Sequence, residues 1–511
     1  MNGVVSLKVI KGKYNFKRPY AGFEEVESGG TGFLIDGLKG HVVTAAHVVA
    51  DAINIIGRFV KSGKKDLSLE VIGICREKDL ALLKISSNDL SLLGKDSTPL
   101  KFADSMLVKP GDKVKAIGFP FGSNNVKISE GIVSGFETVE SDREDSITRC
   151  PAYIQITSDI YPGSSGGPLI NEANEVIGII TSGKEDKKQN FAIPSRTFLA
   201  IYKELKKGGK VNMPTLSLDW CKTNREIMQK QTGKASTYGI YVRRIYPDSC
   251  CEILEKGDII RRIDYMDFMW KPNGESNKDA FALKDGPFDE VLVTVFLDRF
   301  GMSTNIGRLE KADETDETKI AFAKIFTERK MELSEIMDMI PIGADISLNM
   351  CRNLEWYMVN SKYIHTPVYR IPSVYPTLNK RGLPIDYEIF GGMCITDLTM
   401  EVMNAFDISK DICDQFDRRL IIVQVFPGTL AYKTDSVKEG EMIKSVFAYD
   451  KDMVLLQDSF KQIESLEDLR DIAKMKADYF QINCIDNSTF LFSPSQEEDS
   501  FVRKTFKIPE V

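Results

Sequence analysis

The sequence predicts a mainly β protein, with a barrel or sandwich over residues 28–200 followed by smaller modules of mixed α and β structure. Short segments within 28–200 alternate apolar and polar residues, or stay apolar over roughly four to eight positions. Glycine, proline, asparagine and aspartate interrupt these segments, which is typical of short strands joined by turns. The hydrophobic fraction of 42% and the charged fraction of 28% are those of a globular protein with ordinary cores.

Length and charge restrict the classes of function. A chain of 511 residues is long enough for about three domains. The net charge is −7 with acidic and basic residues interspersed, so no basic stripe is present and we expect no nucleic-acid partner. No apolar run reaches the roughly 18 residues that a membrane span needs. The N-terminal residues show no secretory leader, and we therefore expect an intracellular soluble protein of the cytoplasm or nucleus, or one packaged in a particle.

The nine cysteines are scattered and form no CxxC pair. This pattern is typical of reduced thiols and not of a disulfide framework. No set of residues shows the spacing of metal ligands, so we expect no metal and no cofactor.

The first region contains eight segments that read as strands. They are TGFLID (31–36), HVVTAAHVV (41–49), LEVIGIC (69–75), LALLKI (80–85), KVKAIGF (113–119), ISEGIVSGF (128–136), AYIQITS (152–158) and EVIGIITSG (175–183). A helix is predicted next, beginning at an N-cap Ser195 and stopping at Gly208–Gly209. The first domain is therefore placed at residues 1–207.

Three further regions follow. Residues 212–300 predict a small α+β module with strands in GIYVRRI and EVLVTVFLD. Residues 301–385 predict a helical insertion, an amphipathic helix over 313–340, and then a connector rich in tyrosine and proline. The apolar face of that helix either packs on the neighbouring domain or binds a partner. Residues 386–511 predict a second module, which could be a weak repeat of the first.

The stretch GSSGGP, which begins at Gly163, carries a candidate nucleophile. A serine hydroxyl needs a base and oxyanion donors to become reactive. Glycines permit a turn in which the N–H groups of Gly163 and Ser165 point at one spot beside the Ser165 hydroxyl. A tight hairpin turn would use the same residue types, so the stretch alone does not decide between the two.

A base and an acid complete the candidate triad. His47 follows an apolar strand and has small neighbours, whereas His41 can be a core or solvent-facing residue and His365 has no companion motif. Asp79 stands at the start of the apolar segment LALLKI, where it can orient an imidazole. Two other aspartates, Asp104 and Asp112, are rivals in evident turns.

In the order His47, Asp79, Ser165, this region resembles the trypsin-like serine proteases, and more narrowly the HtrA/Deg (Do-like) family. The resemblance covers 28–200 in successive blocks, among them VVTAAHVV, KDLALLKI, DIYPGSSGGPLIN and VIGIITSG. It implies a trypsin-like double β-barrel and a His-Asp-Ser triad. It also implies an oxyanion hole at Gly163 and Ser165.

The resemblance has further implications for partners. The first substrate pocket would be lined by Ile160, Thr181, Ser182 and Gly183, with a preference for medium-sized apolar residues. Ser164 replaces the asparagine usual before the nucleophile. The C-terminal regions resemble PDZ modules, which bind peptide ligands, in the two-PDZ arrangement known from plants. Ser217 stands where the carboxylate-binding loop commonly has glycine, which puts carboxylate capture in doubt.

The leading hypothesis is an ATP-independent serine endopeptidase that cleaves unfolded or misfolded polypeptides. The family commonly trimerises, so a homo-oligomer is expected, either a trimer or a multiple of it. The alternative is a catalytically weak PDZ scaffold or chaperone-like holdase built on the same barrels. An esterase with the same triad is disfavoured, because the PDZ-like modules point to peptide partners.

Overall fold

The structure is a computed structural model. It describes residues 2–59, 65–94, 96–138, 152–181, 190–216, 218–245, 249–283, 288–311, 321–327, 329–364, 385–408, 419–456 and 461–508. The chain forms two compact units. The first unit comprises residues 1–10 and 27–367, and the second comprises residues 11–26 and 368–511.

Six strands form the first barrel. They are β1 (Val4–Tyr14), β2 (Phe23–Asp36), β3 (His41–Ala45), β4 (Ala52–Phe59), β5 (Leu67–Cys75) and β6 (Leu80–Ile85). The strands follow the order β5-β4-β1-β2-β3-β6, and pairing of β5 with β6 closes the ring. The short helix α1 (Ala46–Val49) directly follows β3. Every residue of β3 is buried, including the polar residues His41 and Thr44.

The second barrel is closed by six strands in the order β10-β11-β12-β9-β8-β7. They are β7 (Lys113–Gly118), β8 (Lys127–Thr138), β9 (Ala152–Ile156), β10 (Pro168–Ile170), β11 (Val176–Ile180) and β12 (Asn190–Pro194). Helix α2 (Ser195–Lys207) and the short strand β13 (Gly209–Lys210) follow. The helix ends at Gly208, which has a φ of 97°. Its N-cap residue is Pro194 and not Ser195, whose hydroxyl donates to the carbonyl oxygen of Ala103.

An eight-stranded sheet carries the next part of the first unit, here called the first module (residues 218–363). Its strands are β14 (Leu218–Lys222), β15 (Ile240–Ile245), β16 (Ile259–Asp267), β17 (Val291–Leu297), β18 (Ser303–Lys311), β19 (Ala321–Thr327), β20 (Asp345–Arg352) and β21 (Glu355–Lys362). Its helices are α3 (Arg225–Thr232), α4 (Lys278–Phe281) and α5 (Leu333–Met339). The sheet therefore continues beyond the module boundary predicted at residue 300.

The predicted long helix over 313–340 is wrong. Residues 321–327 form strand β19, which pairs antiparallel with β18, and α5 is the only helix among the described residues of this range. Residues 312–320 and 328 lie outside the described residues. The segment AFAKIFT shows no clear period of its own, and its pairing with β18 determines that it is a strand.

The second unit contains a seven-stranded sheet, here called the second module (residues 385–508). Its strands are β22 (Glu388–Phe390), β23 (Met393–Asp397), β24 (Leu420–Val425), β25 (Met442–Tyr449), β26 (Lys461–Gln462), β27 (Tyr479–Cys484) and β28 (Thr489–Phe492). Its helices are α6 (Met400–Ala405), α7 (Leu430–Thr434), α8 (Leu466–Ala473) and α9 (Gln496–Phe506). Within the described residues, no helix combines the length and apolarity that crossing a bilayer requires.

The two modules share one strand path. In the first module it is β14-β15-β16-β20-β21, and in the second it is β23-β24-β25-β27-β28. A helix precedes the final hairpin in both, α5 in the first and α8 in the second. The first module differs by strands β17–β19, which extend its sheet between β16 and α5.

Candidate active site

The structure brings His47 and Asp79 together. The Nδ1 atom of His47 lies 2.7 Å from Oδ2 of Asp79, and the backbone N–H of His47 donates to Oδ1 over 2.8 Å. The imidazole is 44% exposed and the carboxylate 18%. The contact of Nδ1 and the contact of the backbone N–H to one carboxylate fix the orientation of the ring.

The carboxylate of Asp79 accepts a further hydrogen bond. The hydroxyl of Thr181 donates to Oδ2 of Asp79 over 2.6 Å. Sequence reasoning expected Thr181 only in the substrate pocket, and no local pattern signals this contact. The backbone N–H of Thr181 also donates, to the carbonyl oxygen of Phe191. Both donors of Thr181 are therefore used within the protein.

The turn that carries Ser165 lies against the end of β3. The N–H of Thr31 donates to the carbonyl oxygen of Ser165 over 2.9 Å. A Cβ atom on the next residue, Gly166, would lie 2.2 Å from Oγ1 of Thr44 and 2.8 Å from the nitrogen of Ala45. Only glycine fits this close approach. The approach brings the Ser165 turn next to the residues that directly precede α1, the helix that carries His47.

The N–H groups of Gly163 and Ser165 are free to bind a ligand. Within the described part of the chain, neither donates a hydrogen bond to a protein acceptor. The carbonyl of Pro162 accepts the N–H of Phe121 over 2.6 Å. Carbonyl and following N–H point in opposite directions in a trans peptide, so the N–H of Gly163 is directed away from Phe121. By the same rule, the N–H of Ser165 points away from Gly167, which donates to the carbonyl of Ser164.

Two left-handed residues shape this turn region. Gly163 has a φ of 97°, and a Cβ there would lie 2.6 Å from the carbonyl oxygen of Phe119. Phe121 has a φ of 53°, which is uncommon for a bulky residue. Its ring is 75% exposed and lies 5.7 Å from the ring of Tyr161. Sequence reasoning missed Phe121, because its position depends on backbone conformation and not on a local motif.

An open cleft of about 500 Å³ adjoins the Gly163 turn. Its walls include Ser28 and Gly29 on β2, Phe121 and Gly163. Polar backbone and an exposed aromatic ring thus border the site on this side. Ile160 is half-buried and packs on the core of the second barrel. Two further predicted pocket residues, Ser182 and Gly183, lie outside the described residues.

The rival residues are engaged elsewhere. His41 is buried, and desolvation lowers the pKa of its imidazole. The carboxylate of Asp104 binds the guanidinium of Arg196, and that of Asp112 accepts the N–H of Lys109. His365 lies outside the described residues. Among the described candidates, only His47 and Asp79 form a histidine–carboxylate pair beside the Ser165 turn.

One cluster among the described residues groups three possible metal ligands within 4.8 Å, namely Glu441, Cys484 and Asp486 in the second module. The hydroxyl of Ser488 donates to Glu441. Burial raises the pKa of the Cys484 thiol to about 12. This cluster plays no part in the candidate active site.

Comparison with known proteins agrees with the barrel geometry. Residues 30–179 match the family described as trypsin-like peptidase domain. The two barrels and α2, which include these residues, are here called the peptidase domain. The prediction of a trypsin-like double barrel is confirmed. The peptidase domain brings the histidine–carboxylate pair and the glycine-rich serine turn to one place.

The curated relatives are DegP-like. A probable periplasmic serine endoprotease DegP-like of Marinomonas sp. (strain MWYL1) is 35% identical over 281 residues, which is 52% of this chain and 56% of the relative. Its counterpart in Rickettsia conorii (strain ATCC VR-613 / Malish 7) is 33% identical over 283 residues, 53% of this chain and 51% of the relative. The chain spans about half the length of the curated relatives it matches.

Among solved structures, the HtrA-type protease AlgW with tripeptide superposes with a TM-score of 0.45 and 21% identity. The superposition covers 72% of this chain and 94% of that chain. The sequence matches confirm the predicted resemblance of the peptidase domain to HtrA/Deg proteases. The plant-type arrangement with two PDZ modules stays a prediction.

The expected compartment is wrong. The relatives are named periplasmic, which points to a setting outside the cytoplasm and not to the cytoplasm or nucleus. The expectation depended on the absence of a leader pattern in the N-terminal residues, and these residues do not decide the compartment.

Proposed function

We propose that this protein is an ATP-independent serine endopeptidase of the HtrA/Deg type that cleaves unfolded or misfolded polypeptides. The observation that carries the proposal is that the His47–Asp79 pair lies beside the Ser165 turn. In this turn the N–H groups of Gly163 and Ser165 donate no hydrogen bond to a described protein acceptor. A base fixed by a carboxylate and a set of preorganised oxyanion donors are the two requirements of acyl transfer to serine.

In the proposed reaction, the Oγ atom of Ser165 attacks the scissile carbonyl while Nε2 of His47 takes its proton. Asp79 keeps the imidazole oriented and stabilises the imidazolium. The N–H groups of Gly163 and Ser165 stabilise the oxyanion of the tetrahedral intermediate. The imidazolium then protonates the leaving amine, and water hydrolyses the acyl-enzyme with His47 again as base. This chemistry needs no cofactor.

The cleft supports a polypeptide substrate. Its walls include Ser28 and Gly29 of β2 and Gly163, and we propose that an extended substrate chain lies along them. Such a geometry selects unfolded segments, because a folded protein does not present extended backbone to a cleft. Ile160 would contact a medium-sized apolar residue before the scissile bond. Backbone of Thr181, Ser182 and Gly183 would pair with the substrate strand.

The proposal extends to partners and setting. The two modules would bind peptide ligands in the manner of PDZ domains or contribute to assembly. We propose a homo-oligomer, a trimer or a multiple of it, that works outside the cytoplasm like the relatives. Light scattering at micromolar concentration tests the oligomer, and a monomeric mass there would contradict it.

Labelling with a serine-directed fluorophosphonate, together with casein cleavage, tests the proposed activity. We expect wild type to label and cleave, and Ser165→Ala to do neither. The matched control is Ser164→Ala, which removes the neighbouring buried hydroxyl and is expected to keep most of the activity. Equal weak labelling of wild type and Ser165→Ala without cleavage would favour a non-catalytic holdase or scaffold.

A further inference from the structure

The turn that presents Asp79 is strained. It connects β5 to β6 through Arg76, Glu77 and Lys78, and the N–H of Asp79 donates weakly to the carbonyl of Arg76 over 3.3 Å. Asp79 itself has a φ of 52°, a left-handed conformation that costs about 1 kcal/mol for a residue with a side chain. A strained turn keeps its shape only where its surroundings hold it.

The first module holds the residue directly before Asp79. The ammonium of Lys78 forms an ion pair with Oδ1 of Asp338 on α5. The two side chains are only 5% and 4% exposed, so neither charge is solvated by bulk water. The other carboxylate oxygen of Asp338 accepts the N–H of Ala152 at the start of β9 over 3.3 Å. Buried charges of this kind persist only when paired, so Lys78 has a fixed position.

A second contact holds the residue before that. The N–H of Met213, in the segment leading into the first module, donates to Oε2 of Glu77 over 3.0 Å. The hydroxyl of Tyr363 lies 3.0 Å from the carbonyl oxygen of Pro214 and 2.9 Å from that of Met337 on α5. The contacts to Glu77 and Lys78 therefore belong to one packed body around α5.

We propose that Asp338 is a positioning residue for the active site, which holds through Lys78 the turn that presents the Asp79 carboxylate to His47. This inference rests on the proposed function. The carboxylate contacts His47 at 2.7 Å and 2.8 Å, and displacement of the turn by about 1 Å would break both contacts. The first module is then part of the scaffold of the active site.

A second ion pair provides a matched control. Arg196 on α2 binds Asp267 of the first module over 2.9 Å, and both side chains are fully buried. This pair also links the first module to the peptidase domain. It contacts α2 and Asp104 and not the turn before Asp79. Breaking either ion pair should therefore weaken the packing of the first module on the peptidase domain. Only breaking the pair of Lys78 and Asp338 should also misalign Asp79.

The experiment compares Asp338→Asn with Asp267→Asn in the full chain. We expect both variants to melt at lower temperature than wild type. Only Asp338→Asn should lower kcat on a casein reporter and the rate of fluorophosphonate labelling of Ser165, by about tenfold or more, with KM within about twofold. Equal losses of kcat in the two variants, or no loss in Asp338→Asn, would overturn the proposal.

Two additions keep the proposal testable. If Asp338→Asn does not fold, the double variant Lys78→Met with Asp338→Asn removes both charges, and it should fold while kcat stays low. A wild-type kcat in that variant would overturn the proposal. If wild type neither labels nor cleaves, the proposed function fails instead. The low-field NMR signal of the His47 Nδ1 proton then reports the contact to Asp79 without turnover, and it should change in Asp338→Asn but not in Asp267→Asn.

Discussion

The helices α5 and α8 occupy the same place in the strand paths of the two modules, yet their surroundings differ. All seven residues of α5 are buried, including the carboxylates of Glu335 and Asp338. In α8, burial is confined to Leu466, Leu469 and Ile472, at the spacing of a single apolar face. The α8 helix therefore looks like an ordinary amphipathic helix on its own sheet, and α5 is enclosed on every side.

The ends of the two helices differ in the same way. Ser465 and Asp468 form a capping box at the start of α8, which satisfies the free N–H groups locally. The N-cap residue of α5, Glu332, makes no side-chain cap. Its carboxylate instead accepts the hydroxyl of Thr138 on β8 over 2.5 Å. One helix is stabilised by its own sequence and the other by the peptidase domain, so similar topology does not imply similar dependence on the rest of the chain.

The largest expected difference between the units concerns buried arginine. Arg196→Met would leave Asp104 and Asp267 buried without their partner, and should destabilise the first unit by about 4 kcal/mol. The matched variant Arg470→Met acts in the second unit. There the arginine binds Asp386 and Glu388 but is 27% exposed, so a loss of about 1 kcal/mol or less is expected.

Differential scanning calorimetry checks this contrast. Arg196→Met should lower the temperature of the transition in which the peptidase domain and the first module unfold together. The transition temperature of the second unit should stay unchanged. Separate melting of the first module in this variant would contradict the view that the two share one cooperative body.

A smaller effect is expected from truncation of one apolar residue in each helix. Ile336 on α5 and Leu469 on α8 are fully buried, and replacing either by alanine should cost about 3 kcal/mol through lost burial and a cavity. Only Ile336→Ala should also reduce fluorophosphonate labelling of Ser165, because α5 carries Asp338. The measurement pairs urea unfolding with the labelling rate, and reduced labelling in Leu469→Ala would break the comparison.

The smallest expected effect concerns pH, and here the two units should behave alike. Burial raises the pKa of Cys75 in the first unit and of Cys484 in the second to about 12, from an ordinary value of 9.0. Because the pKa of each thiol is raised in the folded state, its contribution to the free energy of unfolding is fully present below pH 9. This contribution is lost as pH rises from 9 toward 12. Between pH 9 and 9.5 the free energy of unfolding should fall by about half a kcal/mol for each thiol.

Thermal melting at pH 8.0, 9.0 and 9.5 measures this loss. The variants Cys75→Ala and Cys484→Ala serve as controls, since each should reduce the pH dependence of its own unit only. An unchanged pH dependence in both variants would show that other groups cause the loss.

Much of the fold was predictable because its signals are local. Each of the eight segments of the first region contains a strand, although HVVTAAHVV ends in helix α1, and the predicted helix stops at Gly208. In each, apolar periodicity and turn residues agree with the tertiary environment. The helix predicted over 313–340 failed because an acidic start and scattered apolar residues suggested a helix, whereas pairing of β19 with β18 determines the structure.

The candidate site was predictable in part for a similar reason. His47, Asp79 and Ser165 stand in segments whose residue types limit their roles. The structure brings Asp79 to His47, which sequence spacing alone does not show. The hydroxyl of Thr181 contacts the side chain of Asp79 across 102 residues of sequence, and the N–H of Phe121 contacts the carbonyl of Pro162. Lys78 and Asp338 are separated by 260 positions in the printed sequence, and no local pattern links them.

The segment that joins β1 to β2 has a consequence for cleavage of the chain. Residues 11–26 belong to the second unit. There the hydroxyl of Tyr20 donates to Gln424 over 2.6 Å, and its ring packs on Tyr387 and Phe426. The chain therefore crosses between the units near residues 10, 26 and 367. A protease that cuts the chain near residue 367 breaks one of three connections between the units. The C-terminal fragment is then still held by its non-covalent contacts with residues 11–26.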